Sequence, residues 1–408
     1  MKKTLLALSL AAAGQLAADC NDCCEPCCVP QPKKCIDCEC YTPKYYDLQC
    51  ACDFFGTVDF LYWYGKETGL SYALRGEIVP TQGNATDLIP SVSASREVKW
   101  MEESWDPGVR VGIGANDVFC DGWELYFYWT YYHTNKNQKT SIEGFDKFLI
   151  NPWGADTNAQ ALINVSILEN IPAGSSNTNE IKAKWELDYN TFDLELGRNY
   201  WLSRCFSMRP YMGIRGGWTK TRFKTAEDQA FLSPLDETDV FLSSSANFKN
   251  RFWGVGLSGG FQPNWHLGCG FSIFGNADIA LLWGCFDLVR DGFFTALSID
   301  SSGGTETISD TILDYGKSKS KFSAMQAVLD LGAGLRYECT FCCDSYRFAL
   351  DLAWEHHIWF DHNHRNQLDT SLVALGENES FAFALDNFRE IYGNLALAGL
   401  VVRARFDF

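Results

Sequence analysis

The closing stretch, Asn394-Leu-Ala-Leu-Ala-Gly-Leu-Val-Val-Arg-Ala-Arg-Phe-Asp-Phe408, decides the fold. Counted back in twos, Phe408, Phe406, Ala404, Val402, Leu400 and Ala398 share one side, and Asp407, Arg405, Arg403 and Val401 share the other. One apolar and one charged face at period two is a β-strand. On a helix, arginines two apart would stand about 200° apart and mix the two sets. The sequence runs to Phe-Asp-Phe with no polar tail, so its last residue is expected to be held in a sheet.

At the other end, Lys2 and Lys3 precede an apolar run from Leu5 to Ala13 and the small residues Leu16-Ala17-Ala18, the pattern of a secretory signal over residues 1–18. Asp19 before Cys20 argues against lipid attachment at that cysteine, and the mature chain is expected to begin near Asp19. No later segment has the 18 or so consecutive apolar residues of a spanning helix, the longest run being Ile279 to Phe286. A membrane location therefore means a closed barrel. Aromatic residues at 15% and 34 glycines agree. The formal charge of -17 argues against nucleic-acid binding and against attraction to anionic lipid, and loss of Lys2 and Lys3 makes the remainder more acidic still.

From Phe54 onward the chain is a series of alternating segments. The expected strands are Phe54–Tyr64, Trp105–Ala115, Trp123–His133, Ala183–Arg198, Met208–Lys220, Asn250–Phe261, His266–Cys285, Phe322–Glu338, Tyr346–Phe360 and the closing stretch. Trp185 and Leu187 look out of step with Phe192, Leu194 and Leu196, which suggests a bulge near 189–191. Residues 262–265 are read as a turn. Connections alternate between long and short throughout, the rhythm of a barrel with short periplasmic turns, long outer loops and an even strand count. The expectation is an all-β, transmembrane, antiparallel up-and-down barrel of about ten strands over residues 54–408. Alternating scraps at Leu70–Arg75, Val98–Trp100 and Phe381–Leu385 leave room for twelve to sixteen strands, or for strands that rise above the membrane.

Several motifs, taken together, carry a resemblance: Asp59-Phe-Leu-Tyr-Trp63, Gly69-Leu-Ser-Tyr-Ala73, Trp105-Asp-Pro-Gly-Val-Arg-Val-Gly-Ile-Gly114, Gly122-Trp-Glu-Leu-Tyr126, Trp129-Thr-Tyr-Tyr-His133, Trp354-Glu355 and Val401-Val-Arg-Ala-Arg-Phe-Asp-Phe408. The chain from Phe54 resembles the Legionella-type major outer membrane protein family, which includes expanded sets in chlamydia-like bacteria. The resemblance implies a pore-forming outer-membrane barrel, with Phe406 and Phe408 on the barrel-closing strand.

The segment 19–53 departs from that family. It holds Cys20, Cys23, Cys24, Cys27, Cys28, Cys35, Cys38, Cys40, Cys50 and Cys52 among prolines, with too little apolar material for a core of its own. In an exported chain disulfides are the first reading, and spacings such as Cys20-x-x-Cys23 also suit zinc. The adjacent pairs Cys23-Cys24 and Cys27-Cys28 can scarcely bridge to each other, so they point to other partners. Cys120, Cys205, Cys339, Cys342 and Cys343 fall in or beside short turns, on the side of the mature N-terminus. Cys269 lies near that side too, and Cys285 is placed at the outer end. This clustering points to cross-links with other cysteine-rich envelope proteins. The plain alternative is small residues half-buried at strand ends.

The inward face is expected to carry Arg110, Arg209, Arg215, Arg336, Arg347, Asp351, Glu355, Arg403 and Arg405, together with Asp59, Glu124 and Asp330, and to be glycine-rich at Gly254, Gly256, Gly268 and Gly270. The opposite face, with Val111, Leu125, Phe127, Trp129, Leu350, Leu352 and Val402, is expected to meet outer-membrane lipid. Such a lumen either holds an aqueous path for small hydrophilic solutes or is zipped shut by ion pairs, and the glycines favour the path. A lumen plugged by side chains would make the protein a structural or adhesive surface barrel. Glu355, His356, His357, Asp361, His362 and His364 have metal-ligand chemistry, but His356 and His357 point opposite ways on a strand, and polar residues at an outer rim account for them. No nucleophile, base and orienting group are arranged for catalysis, and the glycine pairs precede no helix and bind no phosphate in the manner of a loop. No cofactor or metal site is therefore expected, and the pattern is compatible with a homo-oligomer.

Overall fold

A computed structural model describes residues 54–78, 92–116, 118, 122–144, 147–153, 176–232, 238–300, 307–341, 346–373 and 382–408. The signal, the cysteine-rich segment and Cys120, Cys342 and Cys343 lie outside these residues.

Strands form wherever the sequence alternates at period two. They are β1 (Phe54–Glu67), β2 (Ser71–Ile78), β3 (Val92–Trp100), β4 (Ser104–Ala115), β5 (Trp123–Glu143), β6 (Lys147–Ile150), β7 (Ser176–Arg198), β8 (Tyr200–Ser203), β9 (Phe206–Leu232), β10 (Thr238–Gly268), β11 (Phe271–Asp300), β12 (Thr307–Phe341), β13 (Tyr346–Val373) and β14 (Ala382–Asp407). Ten long strands pair antiparallel in the order β10-β11-β12-β13-β14-β1-β4-β5-β7-β9, and β9 pairs back with β10. The ring is closed, as a sheet without water around it must be. β8 only extends one end of β9, while β2, β3 and β6 form a separate sheet. The closing strand lies between β13 and β1, with Arg403 opposite both Asp351 and Asp59.

The outward faces are apolar across a band bounded by aromatic rows. Met212 is 68% exposed and Leu257 72%. Trp218 and Trp253 stand opposite each other at the outer edge, and Phe206 stands opposite Trp265 at the inner edge. From Trp253 to Trp265 the strand covers roughly 40 Å, which at a tilt of about 40° spans roughly 30 Å of bilayer. The residues expected to meet lipid do face outward, with Leu352 at 52% exposed.

Four features differ from the sequence reading. The connections expected to be long loops after Lys220, Cys285 and Phe360 are mostly strand, paired well above the apolar band; the outward faces mix charges such as Arg222, Lys224, Lys249 and Asp291 with Phe241 and Phe293, so the contrast that marks a membrane strand fades. Residues 262–265 continue β10, and the turn is Cys269-Gly270, where both residues have positive φ, 54° and 82°. That mirror-image turn suits the strand twist, and a side chain on Gly270 would meet the Glu338 carbonyl 2.2 Å away. It also moves Gly268 and Gly270 from the lumen wall to the turn. Finally, β7 has no slip at 189–191: it pairs in unbroken register with β5 and β9. Trp185, Leu187 and Tyr189 face inward together with Thr191, Asp193 and Glu195, so the polarity of the lumen changes along the strand while its phase does not.

Candidate functional site

All twelve charged residues expected on the inner wall face the lumen, and each is in an ion pair. Asp59, fully buried on β1, accepts hydrogen bonds from Arg110 at 3.1 Å and Arg403 at 2.9 Å. Arg110 also donates to both carboxylate oxygens of Glu355, at 3.0 and 2.8 Å. Glu355 meets His357 at 3.2 Å, His357 meets Asp330 at 2.8 Å, and Asp330 accepts from Arg215 at 2.6 Å. Arg215 closes the chain on Asp193 and, at 3.3 Å, on Asp278. Two of these links, Arg110 to Glu355 and Arg215 to Asp330, join strands that are three apart in the sheet order, β4 with β13 and β9 with β12. They cross the lumen instead of running along its wall.

A second chain lies nearer the periplasmic mouth. Arg209 pairs with Glu195 at 3.2 Å and with Glu124 at 3.0 Å. Glu124 also takes Arg405 at 3.2 Å, which pairs with Asp407 at 2.7 Å. Arg347 reaches Asp407 at 3.5 Å and Glu338 at 2.6 Å. Arg336 grips Asp351 with two hydrogen bonds, 2.7 and 2.8 Å, in the fork geometry that carboxylates favour. Among these charges a cavity of about 60 Å³ remains, lined by Arg110, Asp193, Arg215, Asp330, Glu355 and Arg403 with Tyr128 and Tyr189. That is room for a few water molecules only.

Toward the outside the lumen turns apolar. Trp63, Trp185, Trp359, Tyr132, Phe252 and Leu187 are buried in one cluster. Gly254 and Gly256 do face inward, but the space is not open: a side chain on Gly254 or Gly284 would strike the Phe252 ring, each 2.6 Å or less away. Above this layer the sheet of β2, β3 and β6 caps the lumen. Leu70, Tyr72, Leu149 and Trp153 join the same cluster, and Trp153 meets the inward rings of Phe223 and Phe248 edge-on at 5.8 and 5.3 Å. Polar contacts fix the cap: the Trp153 indole donates to the Ser71 carbonyl, Tyr72 bonds Thr140 at 2.8 Å, and Asn179 donates to the Leu149 carbonyl at 3.1 Å. Glu67, buried beneath, accepts from Trp185 at 2.6 Å and Arg365 at 3.0 Å, and the Arg365 guanidinium lies 4.5 Å from the Phe223 ring centre.

The histidine-rich stretch does not converge. Glu355 and His357 belong to the ion-pair chain, whereas His356 stands on the alternate side of β13. Asp361, at φ 49°, sits at a register break in β13. His362 bonds Thr219 at 2.6 Å and Gln326 at 2.9 Å, and His364 packs edge-on against Phe286. Another triad, His133, Glu186 and Asp188, comes close on the outward face; Glu186 and Asp188 there already pair with Arg222 at 2.7 Å and Lys220 at 4.0 Å. Asp193, Glu195 and the β7 share of the apolar layer, Trp185 and Leu187, were hidden from the sequence by the apparent slip at 189–191. The period-two series from Trp185 through Glu195, read without a break, is the signal that finds them.

Of the described cysteines, Cys205, Cys269 and Cys339 stand at the turn end of the barrel, and no disulfide joins Cys205, Cys285 or Cys339 to another described cysteine. Cys285 faces outward beside the outer aromatic row, opposite Trp253, well before its strand ends.

A family model for the Legionella pneumophila major outer membrane protein precursor matches residues 55–408. Among solved structures the chain is similar to the outer membrane protease OmpT of Escherichia coli, at 8% identity and TM-score 0.33, covering 89% of this chain and 100% of that one. It is also similar to a Pseudomonas aeruginosa FadL homologue (9% identity, TM-score 0.19, 87% and 89% covered) and to the Pseudomonas putida toluene transporter TodX (7%, 0.20, 88% and 90%). These likenesses are too distant to carry a reaction or a solute across. A search of curated proteins finds no match.

Proposed function

Since the chain belongs to the Legionella pneumophila major outer membrane protein family and is an outer-membrane β-barrel, we propose that its work is structural: a closed barrel that seals its own lumen and presents a rigid strand-built rim outside the cell. The observation that carries this is the pair of cross-lumen ion bridges, Arg110–Glu355 and Arg215–Asp330, lying beneath an apolar layer. A charge taken into such a site is stable only where its partners are fixed, so an open path would have to break several of these contacts together. In the envelope, residues 19–53 would bind other cysteine-rich proteins by disulfides, with Cys205 and Cys339 on the same side, once a signal over residues 1–18 has exported the chain.

A second reading, passive diffusion of small hydrophilic solutes, is favoured by one observation. The cap is made from connecting segments, separate from the barrel wall, so it can leave without unpairing barrel strands. Swelling of liposomes in a small sugar distinguishes the two. Protein lacking residues 71–100 should remain impermeable, because the ion-pair layer is intact. Sugar entry through that variant, with the whole chain impermeable, makes the protein a capped channel.

A further inference from the structure

The strands that rise above the apolar band carry a pattern that folding alone disfavours. On the outward faces of β9 and β10, Lys220 stands directly opposite Arg251, and Arg222 directly opposite Lys249. Between β7 and β9, Lys184 stands opposite Lys224. Like charges in directly opposed positions of a sheet destabilise it, and here three such pairs adjoin one another in a chain whose formal charge is -17. Some are partly offset: Glu186 pairs with Arg222, Asp188 lies 4.0 Å from Lys220, and Asp291 lies 3.9 Å from Lys249. Lys184, Lys224 and Arg251 have no ion pair among the described residues, although Asp287 stands opposite Arg251 on its other side.

Position supplies a second, independent pointer. Along each strand Lys220 and Arg251 follow two residues after Trp218 and before Trp253, the opposed pair of the outer aromatic row. Trp253 is 63% exposed to the lipid side. Indoles settle at the level of lipid headgroups, so the cations begin where the phosphates of the outer leaflet lie, on the face that meets lipid. Soluble anions would need no apolar surface below the charge, whereas an anionic amphiphile uses both.

We propose that the outward face of β7, β9 and β10, built on Lys184, Lys220, Lys224 and Arg251, is a docking site for a phosphate-bearing glycolipid of the outer leaflet. Its acyl chains lie along Trp218, Trp253 and Val255, and its phosphates relieve the opposed cations. Acidic overall composition spoke against anionic lipid; the excess of negative charge lies elsewhere, and this face is locally basic. The site is independent of whether the lumen conducts.

The test uses the refolded full chain in zwitterionic detergent, with bisphosphorylated lipid A and its dephosphorylated form as probes. Wild type should retain bisphosphorylated lipid A through washing and hold the dephosphorylated form poorly. The variant Lys184→Gln, Lys220→Gln, Lys224→Gln, Arg251→Gln should bind the phosphorylated probe roughly tenfold weaker or more. Lys66→Gln, on β1 and paired with Glu103, should bind as wild type does. Without phosphorylated lipid the fourfold variant should unfold at a higher temperature than wild type, since repulsion is relieved; with it, the order should reverse. Equal retention of the two probes by wild type overturns the proposal without recourse to any variant, and so does undiminished binding by a folded fourfold variant.

Discussion

The two halves of the lumen are built from the same strands and have opposite chemistry. β7 shows it in one run: Trp185, Leu187 and Tyr189 face inward toward the outside of the cell, and Thr191, Asp193 and Glu195 face inward toward the periplasm. The periplasmic half is held by ion pairs that cross the barrel, the outer half by rings and a cap of connecting segments. The water-filled lumen of a porin barrel is polar. A lumen that changes from salt to oil is a core in two layers, sealed in two different ways.

The largest effect should come from breaking the polar layer from within. Arg110→Ala leaves Asp59 and Glu355 without their shared cation in a buried site, and should lower stability by about 3 to 5 kcal/mol, measured by the heat- or urea-dependent gel shift of the folded band. Arg110→Met combined with Glu355→Met should lose much less, because no charge of the bridge remains unpaired. A small loss in the single variant would mean that water already reaches the pair.

Next in size is the contrast between wall faces. Leu352→Arg, placed against lipid near the midplane, should cost about 2 to 4 kcal/mol. In a water-filled lumen Ala353→Arg would be cheap. Here Ala353 is 6% exposed, and the position of a Gly334 side chain lies 2.7 Å from its Cβ, so the substitution should cost as much as Leu352→Arg or more. Easy acceptance of arginine at 353 would break the comparison in favour of an open path.

The apolar layer should respond more gently. Trp185→Phe keeps the ring packing but removes the donor to Glu67, a loss of about 1 to 3 kcal/mol. The gel shift should show it, and the ion-pair layer below should be untouched, so that its effect adds to that of Arg110→Ala.

Much of this was legible from residue spacing. The ten wall strands, the outward set from Val111 to Val402 and all twelve inward charges follow from period two, because one face meets lipid and the other does not. Legibility failed where that contrast fades. Above the membrane the outward faces of β9 and β10 carry Arg222, Lys224, Asn247 and Lys249, so those segments read as loops although they are paired. Gly254 looked like open wall because the ring of Phe252 that fills the space comes from packing, and no local pattern reports it. The cap of β2, β3 and β6 joins segments from two different connections, so its pairing is non-local. The cross-lumen bridges Arg110–Glu355 and Arg215–Asp330 sit between strands three apart, where sequence shows the charges but not which of them meet.

A sealed lumen is checked by single-channel recording of the refolded whole chain in planar bilayers. The membrane should stay silent with wild-type protein, and silent again with Arg403→Ala and Arg405→Ala, since Arg110 and Arg215 still bridge the barrel. Steady unitary conductance from wild type, moving toward cation preference in the double variant, would contradict it and establish an aqueous path through the arginines.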